Sequence, residues 1–487
     1  MANDVPEGER SRLMVAARHR HHVLVAGGGV AALEAVLALR ALASDHVSIT
    51  LLTPSAELLY RPVTVAEAFG RGEARTFRID EILADQAVEH VHDSLERVQS
   101  LSRTVLTGTG DELSYDSLVI AVGARQTPVL PGALAFGGRA DVPALRQLVD
   151  ELVAGTARSV AFTLGSAQEW PMPLYELALL TADHLREHGS PARVTLVTPE
   201  ERPLALFGPQ ADETISLMLA ALGITVRCSA MPAFVRLHEL VLAGGGAVSA
   251  DRVVTLPALR GPHLAGVPAD DHGFIPVDAH GRVLGTPGVH AVGDVTTFPL
   301  KQGGLAAQQA DAVAEQIAHD AGAPVTPRRF SPVLRGLLIT AGAPVYLRAE
   351  PQRLARRSSV AINDRWPAVR AMTEGASIAS DQALWWPPAK IAGRYLAPHL
   401  ATAHALTFTA QPLEDRRPSP GPALTDHEFA DAVELALMLA DGDAEWGDYA
   451  AALASLDAAQ ALQGALPPEY EAKRRLWLAE LRSRSSE

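Results

Sequence analysis

The chain has 487 residues, enough for about three domains of roughly 150 residues each. Its 42 basic and 56 acidic side chains give a formal net charge of −14, which argues against a protein that binds nucleic acid through a basic surface. The single cysteine, Cys228, excludes an internal disulfide, a paired-cysteine redox motif and a thiolate zinc cluster. We therefore expect neither a nucleic-acid partner nor a bound metal.

The N-terminal residues carry no recognisable targeting signal. Residues 1–20 are polar and lack the apolar run of a secretory signal, and no segment reaches the roughly 18 uncharged apolar residues of a membrane-spanning helix. The basic cluster over residues 18–22 indicates a solvated tail, with contact to an anionic surface or a metal as the alternative. These features predict a cytoplasmic protein.

The first structural pattern is a strand, a glycine turn, a helix and a second strand. Apolar residues 23–26 predict a buried strand, and glycines occupy positions 27–29. Apolar residues then recur at helical spacing over residues 31–42, and a second apolar strand follows over residues 47–52. This order predicts an α/β fold that begins with a βαβ unit.

A second unit of the same kind follows about 145 residues later. Its predicted strands cover residues 160–163 and 194–197, and its helix covers residues 174–188. The second strands of the two units end alike, in Thr53-Pro54 and Thr198-Pro199. Two similar domains are therefore predicted rather than one large sheet.

The first glycine turn has the residues that a dinucleotide site requires. Gly27, Gly29 and Ala32 fit the pattern G-x-G-x-x-G/A between a strand and a helix. The first glycine allows a tight turn, the second lets a pyrophosphate approach the backbone, and the alanine allows close helix packing. Glu34, in the first helical turn, is a candidate for ordering water or a ribose. Thr53 stands where an acidic ribose ligand is expected, and its hydroxyl forms a weaker bond.

Further motifs follow this turn in a characteristic order. A strand over residues 115–124 runs into a second glycine turn, and Gly293-Asp294 ends another strand before a helix predicted over residues 305–318. With the first turn, these motifs resemble the pyridine nucleotide-disulfide oxidoreductase superfamily. Residues 59–62 and 298–304 are similar to its branch of sulfide:quinone oxidoreductases and type II NADH dehydrogenases. The resemblance covers residues 22–330, and more loosely extends to 400.

This resemblance implies two Rossmann-like dinucleotide-binding domains and an FAD cofactor. It also implies that Lys301 and the following helix N-terminus tune the flavin, although a surface lysine is an equal alternative. The residues expected to bind FAD are Gly27, Gly28, Gly29, Ala31, Ala32, Thr53, Arg61, Ala121, Val122, Gly123, Gly293, Asp294, Gln302 and Gly303.

The second nucleotide site is degraded in sequence. Of the expected glycines it keeps Gly165, and nearby prolines remove backbone donors from the turn. Use of NAD(P)H as electron donor is therefore left open, with Gly165, Ser166, Glu176 and Thr198 as the residues of such a site. Cys228 follows a predicted strand of the second domain and is interpreted as structural, so a cysteine relay beside the flavin is not expected.

The C-terminal part adds two features to this plan. The segment over residues 385–400 contains Trp385 and Lys390 and ends at Leu400; we interpret it as a cover over the flavin domain, with peripheral membrane contact on the inner face as the alternative. Helices predicted from residue 426 onward form a tail for a partner or a homodimer. The predicted parts are a flexible N-terminus (1–20), an FAD-binding domain (21–150 and 266–330), a degraded NAD(P)-type domain (151–265), a flavin-covering region (331–410), a linker (411–424) and a helical tail (425–487).

Three functions remain at this point. The first is an FAD-dependent oxidoreductase that passes electrons from a reduced donor to a quinone or another small acceptor. The second is a catalytically degenerate FAD-binding protein with a structural or regulatory role, which the degraded second glycine motif and the lack of paired cysteines favour. A dinucleotide-binding module without flavin is the weakest alternative, since it leaves Gly293 and Asp294 unexplained.

Overall fold

The structure is a computed structural model that describes residues 20–128, 130–164, 170–350, 377–385, 389–400 and 465–484, with single positions between 437 and 460. The helices in this part of the chain are α1 (Val30–Ala43), α2 (Thr64–Glu67), α3 (Ile79–Leu83), α4 (Val142–Val153), α5 (Met172–Glu187), α6 (Pro209–Ala221), α7 (Gly303–Asp320), α8 (Ala397–Leu400) and α9 (Pro468–Arg484).

The strands are short, as is common in α/β proteins. In chain order they are β1 (His21–Ala26), β2 (Val47–Leu52), β3 (Glu57–Leu59), β4 (Thr76–Arg78), β5 (Val88–Val91), β6 (Leu95–Gln99), β7 (Thr104–Thr107), β8 (Glu112–Ser114), β9 (Ser117–Ile120), β10 (Arg125–Thr127), β11 (Leu134–Ala135), β12 (Ser159–Leu164), β13 (Arg193–Val197), β14 (Thr225–Arg227), β15 (Pro232–Arg236), β16 (Glu239–Leu242), β17 (Ala247–Ser249), β18 (Arg252–Leu256), β19 (Ala258–Arg260), β20 (Val289–Ala291), β21 (Leu334–Leu338), β22 (Val345–Ala349) and β23 (Ser377–Ser380).

Two five-stranded parallel sheets form the framework, which confirms the predicted α/β class. The first sheet has the strand order β20-β9-β1-β2-β5. Helices α1 and α7 pack on one of its faces, and the antiparallel sheet β6-β7-β8 covers the other. Because both faces are buried, its central strands are apolar throughout, as in Val23, Leu24 and Val25 of β1.

The second parallel sheet has the order β11-β18-β12-β13-β14. Helices α4, α5 and α6 pack on one face, and the antiparallel sheet β15-β16-β17 packs on the other. A C-terminal antiparallel sheet, β21-β22-β23, joins the core of this second unit through Leu337, Leu338 and Leu347. The second unit therefore repeats the layers of the first.

The C-terminal segment over residues 389–400 connects the two cores. Ala392 packs with the core of the second unit, whereas Ile391, Leu396 and Leu400 pack against α1 and α7 of the first. This segment, called the strap below, consequently lies across the boundary between the units. None of the described helices combines the length and apolar character needed to cross a membrane.

Candidate functional site

A cleft of about 950 Å³ lies where the carboxyl ends of the two parallel sheets face each other. This edge is where open α/β sheets bind their ligands. Ala32 is fully buried behind the cleft instead of lining it. The predicted residues that the cleft lining brings together are Gly27, Gly28, Gly29, Ala31, Thr53, Arg61, Ala121, Val122, Gly123, Gly293, Asp294, Lys301, Gln302 and Gly303.

The glycine turn between β1 and α1 forms one wall of the cleft. Gly27 has a φ of +133°, and a Cβ there would lie 2.3 Å from the carbonyl oxygen of Ala121. Gly29 has an extended backbone with φ −91°, and a Cβ there would meet no atom within 4 Å. The first glycine is therefore required by the packing of two strands, whereas the second leaves open space beside the backbone.

The amino end of α1 opens into this space. No side chain among the described residues caps the helix, and its first internal hydrogen bond runs from Leu33 N to Gly29 O at 3.1 Å. The amides of residues 30–32 therefore lack helical acceptors and lie at the positive end of the helix dipole. Such an end binds the phosphates of a dinucleotide.

Thr53 lies directly behind the glycine turn and is almost fully buried. Its backbone N–H donates to Val91 O at 3.0 Å, and its Oγ1 accepts from Ser55 N at 3.2 Å. A Cβ on Gly28 would lie 2.6 Å from Thr53 Oγ1. Gly28 therefore allows the glycine turn to pack directly against Thr53.

Asp294 enters the cleft from the opposite side, in a 3₁₀ turn after β20. Gly293 there has φ +76°, and its N–H donates to Gln309 Oε1 at 2.6 Å. Burial raises the pKa of Asp294, and the positive charges of Lys301 and Arg61 offset part of that increase. The carboxyl is held where a ligand hydroxyl can bond to it.

The amino end of α7 closes the far end of the cleft. Gln302 caps this helix, because its Oε1 accepts from Leu305 N at 2.8 Å and its Nε2 donates to Arg335 O at 3.0 Å. Lys301 is only 8% exposed, donates from Nζ to Thr296 O and lies 4.0 Å from the centroid of the Phe274 ring. Lys301 is therefore buried beside the cleft, and the alternative of a surface lysine is wrong.

These features fit FAD. The open space at Gly29 and the uncapped end of α1 provide for the pyrophosphate, Asp294 provides an acceptor for a polyol hydroxyl, and the amino end of α7 with Lys301 provides positive potential. A match to the family described as pyridine nucleotide-disulphide oxidoreductase covers residues 21–315. The chain belongs to this family. FAD is accordingly its cofactor.

Comparison with known proteins adds relatives within this family. An NADH dehydrogenase-like protein of Mycobacterium tuberculosis is 29% identical over 235 residues, which is 45% of this chain and 57% of that protein. The peroxisomal monodehydroascorbate reductase 2 of rice is 28% identical over 214 residues, which is 41% of this chain and 42% of that protein. The chain thus spans about half the length of these curated relatives.

Solved structures share the fold. The sulfide:quinone oxidoreductase of Aquifex aeolicus superposes with a TM-score of 0.60 at 19% identity, covering 74% of this chain and 87% of that one. The ferredoxin reductase of Rhodopseudomonas palustris gives a TM-score of 0.53 at 20% identity, covering 71% and 87%. At these identities, the likeness concerns the architecture alone.

In this family member, a buried ion pair stands at the end of the cleft near α7. Lys390 Nζ lies 2.5 Å from Glu176 Oε1, and both side chains line the cleft. Glu176 also accepts from Ile339 N at 2.7 Å, while its Oε2 has no hydrogen-bond partner in the described part of the chain. Burial raises the pKa of Glu176 and lowers the pKa of Lys390.

The sequence did not predict this pair. Glu176 was assigned to the second nucleotide site and Lys390 to the covering segment, and the two residues are 214 positions apart. The residue types alone gave a weak signal of a contact, since a buried acid such as Glu176 is rarely stable without a cation or a hydrogen bond.

The remaining residues of the predicted second nucleotide site have different outcomes. Gly165 and Ser166 lie outside the described residues. Thr198 directly follows β13; it is fully buried, and its hydroxyl donates to Glu200 Oε2 at 2.8 Å. The hydroxyl of Tyr175 donates to the same oxygen at 2.5 Å. In this arrangement, the Thr198 hydroxyl is already bonded within the protein.

Glu34 has a different role from the one predicted. It is fully buried, and its two carboxylate oxygens accept from Tyr395 N and Leu396 N, each at 2.7 Å. The expectation that it orders a ribose or water was wrong, because the strap occupies its hydrogen-bonding capacity. Glu34 therefore fixes the strap to α1.

Of the predicted covering segment over residues 385–400, the structure describes Trp385 and residues 389–400, and several of these are buried. Trp385 is 3% exposed and donates from Nε1 to Ala389 O at 2.9 Å, and Leu396 and Leu400 are fully buried. This burial favours the predicted covering role over a membrane-facing one.

Proposed function

We propose that this protein is an FAD-dependent oxidoreductase that passes electrons from a reduced nicotinamide donor to a quinone or a similar small acceptor. The observation that carries the proposal is the buried Lys390–Glu176 pair in the cleft that fits the flavin. FAD, when bound, supplies the two-electron chemistry. The chain's own residues supply binding, orientation and protons.

The first role of the chain is to hold the acceptor against the flavin end of the cleft. The wall there is formed by the side chains of Trp170, Met172, Leu337 and Ile391, with Arg335 also in the lining. Apolar and aromatic side chains suit a flat ring, and a few polar groups orient its oxygens. This composition supports a quinone-like acceptor.

The second role is to supply a proton. Reduction of a quinone by two electrons to a quinol takes up two protons, of which one would come from a side chain in the cleft and the other from solvent. Lys390 Nζ is in contact with Glu176 Oε1, and burial favours the neutral form of each group, so a proton can move between them. We therefore assign to this pair the transfer of a proton from Nζ to an acceptor oxygen.

A cysteine relay has no part in this scheme. Cys228, the single cysteine of the chain, is half-buried after β14 and does not line the cleft. Burial and the negative charges of Glu200 and Asp212 raise the pKa of its thiol. A thiol that resists deprotonation is a poor nucleophile.

The proposed donor is NADH, by analogy with the NADH dehydrogenase-like protein of Mycobacterium tuberculosis. The test is anaerobic mixing of the purified flavoprotein with NADH and, separately, with NADPH, while flavin absorbance is followed. We expect NADH to bleach the flavin and a soluble quinone to restore it. Bound flavin that neither nucleotide bleaches would contradict the proposed donor, and would fit the degenerate flavoprotein that the sequence left open.

Two variants test the proton-transfer pair. In Lys390→Met and Glu176→Gln, we expect the rate of flavin reoxidation by quinone to fall about 10²-fold, with flavin content unchanged, which is the lower end of the range typical of positioned acids. Lys473→Met is the matched control, because Lys473 forms a 2.5 Å ion pair with Asp441 outside the cleft. Unchanged reoxidation rates in both cleft variants would remove the pair from the mechanism.

A further inference from the structure

Three side chains that can ligate a metal meet at the outer edge of the first parallel sheet. His90 lies on the edge strand β5, His92 follows that strand, and Asp80 lies on α3. One ligand atom from each residue lies within 4.8 Å of the others. The group is separate from the residues that line the cleft.

The backbone places the two histidines on the same side. Residues two positions apart on an extended chain point in the same direction. The ring centroids of His90 and His92 are 3.8 Å apart, and His90 Nδ1 lies 2.8 Å from Asp80 Oδ1. Two imidazoles and a carboxylate thus converge on one point.

His90 has an unusual environment for a surface-edge histidine. Its side chain is 10% exposed, and its Nε2 is buried with no hydrogen-bond partner in the described part of the chain. A buried ring nitrogen without a partner is destabilising. Asp80 provides the single hydrogen bond described for the ring, at Nδ1, so this nitrogen faces the carboxylate and the other ligand atoms of the group.

We propose that Asp80, His90 and His92 bind a divalent transition-metal ion, with Zn²⁺ as the reference ion. Imidazole nitrogen and carboxylate oxygen are the ligands that Zn²⁺ accepts, at about 2.0–2.2 Å, and three protein ligands leave a position for water. The 2.8 Å contact between His90 and Asp80 would open by about 0.5 Å to admit an ion with tetrahedral angles at those bond lengths. Asp80 is half exposed and can make this movement.

The neighbouring charges leave the site accessible. Arg78 lies 3.9 Å from Asp80 Oδ2, the oxygen that does not contact His90, and its side chain is 64% exposed. Its guanidinium can therefore remain on the outer oxygen while Oδ1 binds the ion. A metal here would link α3 to β5, whose Val91 O accepts the hydrogen bond from Thr53 N behind the glycine turn.

The experiment is titration of the metal-free, flavin-loaded protein with ZnCl₂, followed by calorimetry. We expect one Zn²⁺ per chain, and binding at least tenfold weaker in both His92→Ala and Asp80→Asn. His238→Ala is the matched control, because His238 forms a 2.8 Å contact with Asp251 but belongs to no three-ligand group among the described residues. It should bind Zn²⁺ like the wild type.

The folding of each variant is checked by its flavin absorbance and circular dichroism. Asp80→Asn keeps the size of an exposed side chain, so it remains informative if His92→Ala misfolds. The proposal is overturned if the wild type does not bind Zn²⁺, or if folded Asp80→Asn or His92→Ala binds it with unchanged affinity. These readouts do not depend on enzymatic turnover.

Discussion

A side chain on Gly27 would meet the carbonyl of Ala121, whereas one on Gly29 would point into the open cleft. The backbone of Gly27 also lies at a positive φ that L-residues rarely adopt, while the extended backbone of Gly29 suits any residue. Loss of Gly27 should therefore damage the fold, but loss of Gly29 should affect the ligand alone. Substitutions at the two glycines can therefore distinguish an effect on FAD binding from an effect on the stability of the fold.

The substitution Gly29→Val uses that difference. We expect the variant to fold with little change in stability and to lose FAD, because the valine side chain fills the space assigned to the pyrophosphate. The measurement is the ratio of flavin to protein absorbance after purification, with thermal unfolding alongside. Gly244→Val is the control, since a Cβ at Gly244 also meets no atom within 4 Å. A yellow Gly29→Val protein with full flavin content would show that the phosphate site lies elsewhere.

Glu200 gives the molecule a pH-dependent stability. Burial raises the pKa of this carboxyl from 4.5 to about 7, although bonds from Tyr175 and Thr198 oppose the increase. The folded chain therefore keeps a proton that the unfolded chain loses above about pH 4.5. The resulting stabilisation is complete below that pH and is lost as the pH rises through 7.

Glu200→Gln should remove this dependence, because an amide imitates the protonated carboxyl. We expect the free energy of unfolding of the wild type to fall by roughly 2–3 kcal/mol more than that of the variant between about pH 5 and pH 8, at about 1.4 kcal/mol per pKa unit. Urea unfolding at both pH values measures it. Parallel pH dependence in the two proteins would mean that Glu200 stays ionised in the fold.

At the level of single residues, the sequence predicted the residues that line the cleft better than the side-chain contacts proposed to take part in the chemistry. The glycines and Asp294 belong to local motifs, so their positions follow from a few neighbouring residues. Lys390 and Glu176 meet through tertiary packing across 214 positions, and Glu34 binds backbone amides more than 360 positions away. No local spacing can reveal such partners.

Among the elements, the parallel strands and their helices were predicted closely. The strand over residues 47–52 coincides with β2, and the helix predicted over residues 31–42 is α1, Val30–Ala43. Helix α5 begins at Met172, two residues before the prediction, because Pro173 is tolerated in a first helical turn. The strap was harder to predict, since its conformation depends on contacts with two separate cores.

The strap depends on a carboxylate that faces it from α1. Glu34 accepts the amides of Tyr395 and Leu396, and burial together with the charge of Glu34 raises the pKa of the neighbouring Asp311 well above its usual range. A higher pKa favours the neutral form of Asp311, which lessens the charge repulsion at the carboxylate that holds the strap. The strap in turn carries Lys390 to Glu176.

Glu34→Ala should detach the strap from α1. Two buried amides lose their acceptors, at a cost of about 1–3 kcal/mol each. We expect faster proteolytic cleavage within residues 389–400 and slower reoxidation of flavin by quinone, because Lys390 is no longer positioned. Glu81→Ala, on an exposed side chain of α3, is the control. If cleavage within the strap is as slow as in the wild type, Glu34 does not anchor it.

On the scale of the whole molecule, the two parallel sheets and the strap enclose one cleft, while the tail contains a core of its own. Ala440, Ala452, Leu456, Leu466 and Trp477 pack together, and Tyr470 donates to Asp441 Oδ2 at 2.8 Å. The described residues of the tail therefore bury apolar side chains against one another. The predicted linker lies outside the described residues.

These positions define where the chain can be shortened. The cleft lining ends at Ile391, and the buried contacts of the strap continue to Leu400. A chain that ends at Pro420 therefore keeps every described residue of the site and removes the core of the tail. We expect it to retain full flavin content, with lower solubility or a changed oligomeric state if the tail also covers the body or joins two subunits. Flavin absorbance and light scattering measure both properties.

A chain that ends before Ala389 provides the comparison. It lacks Lys390 and the buried residues of the strap, so α1 and α7 would expose the surfaces that Leu396 and Leu400 cover. We expect this shorter chain to lose flavin or to aggregate. If the Pro420 truncation is folded and soluble but colourless, the tail contributes to the flavin site and the domain boundary lies later in the chain. If the truncation before Ala389 keeps its flavin, the strap is dispensable for cofactor binding and its role is confined to positioning Lys390.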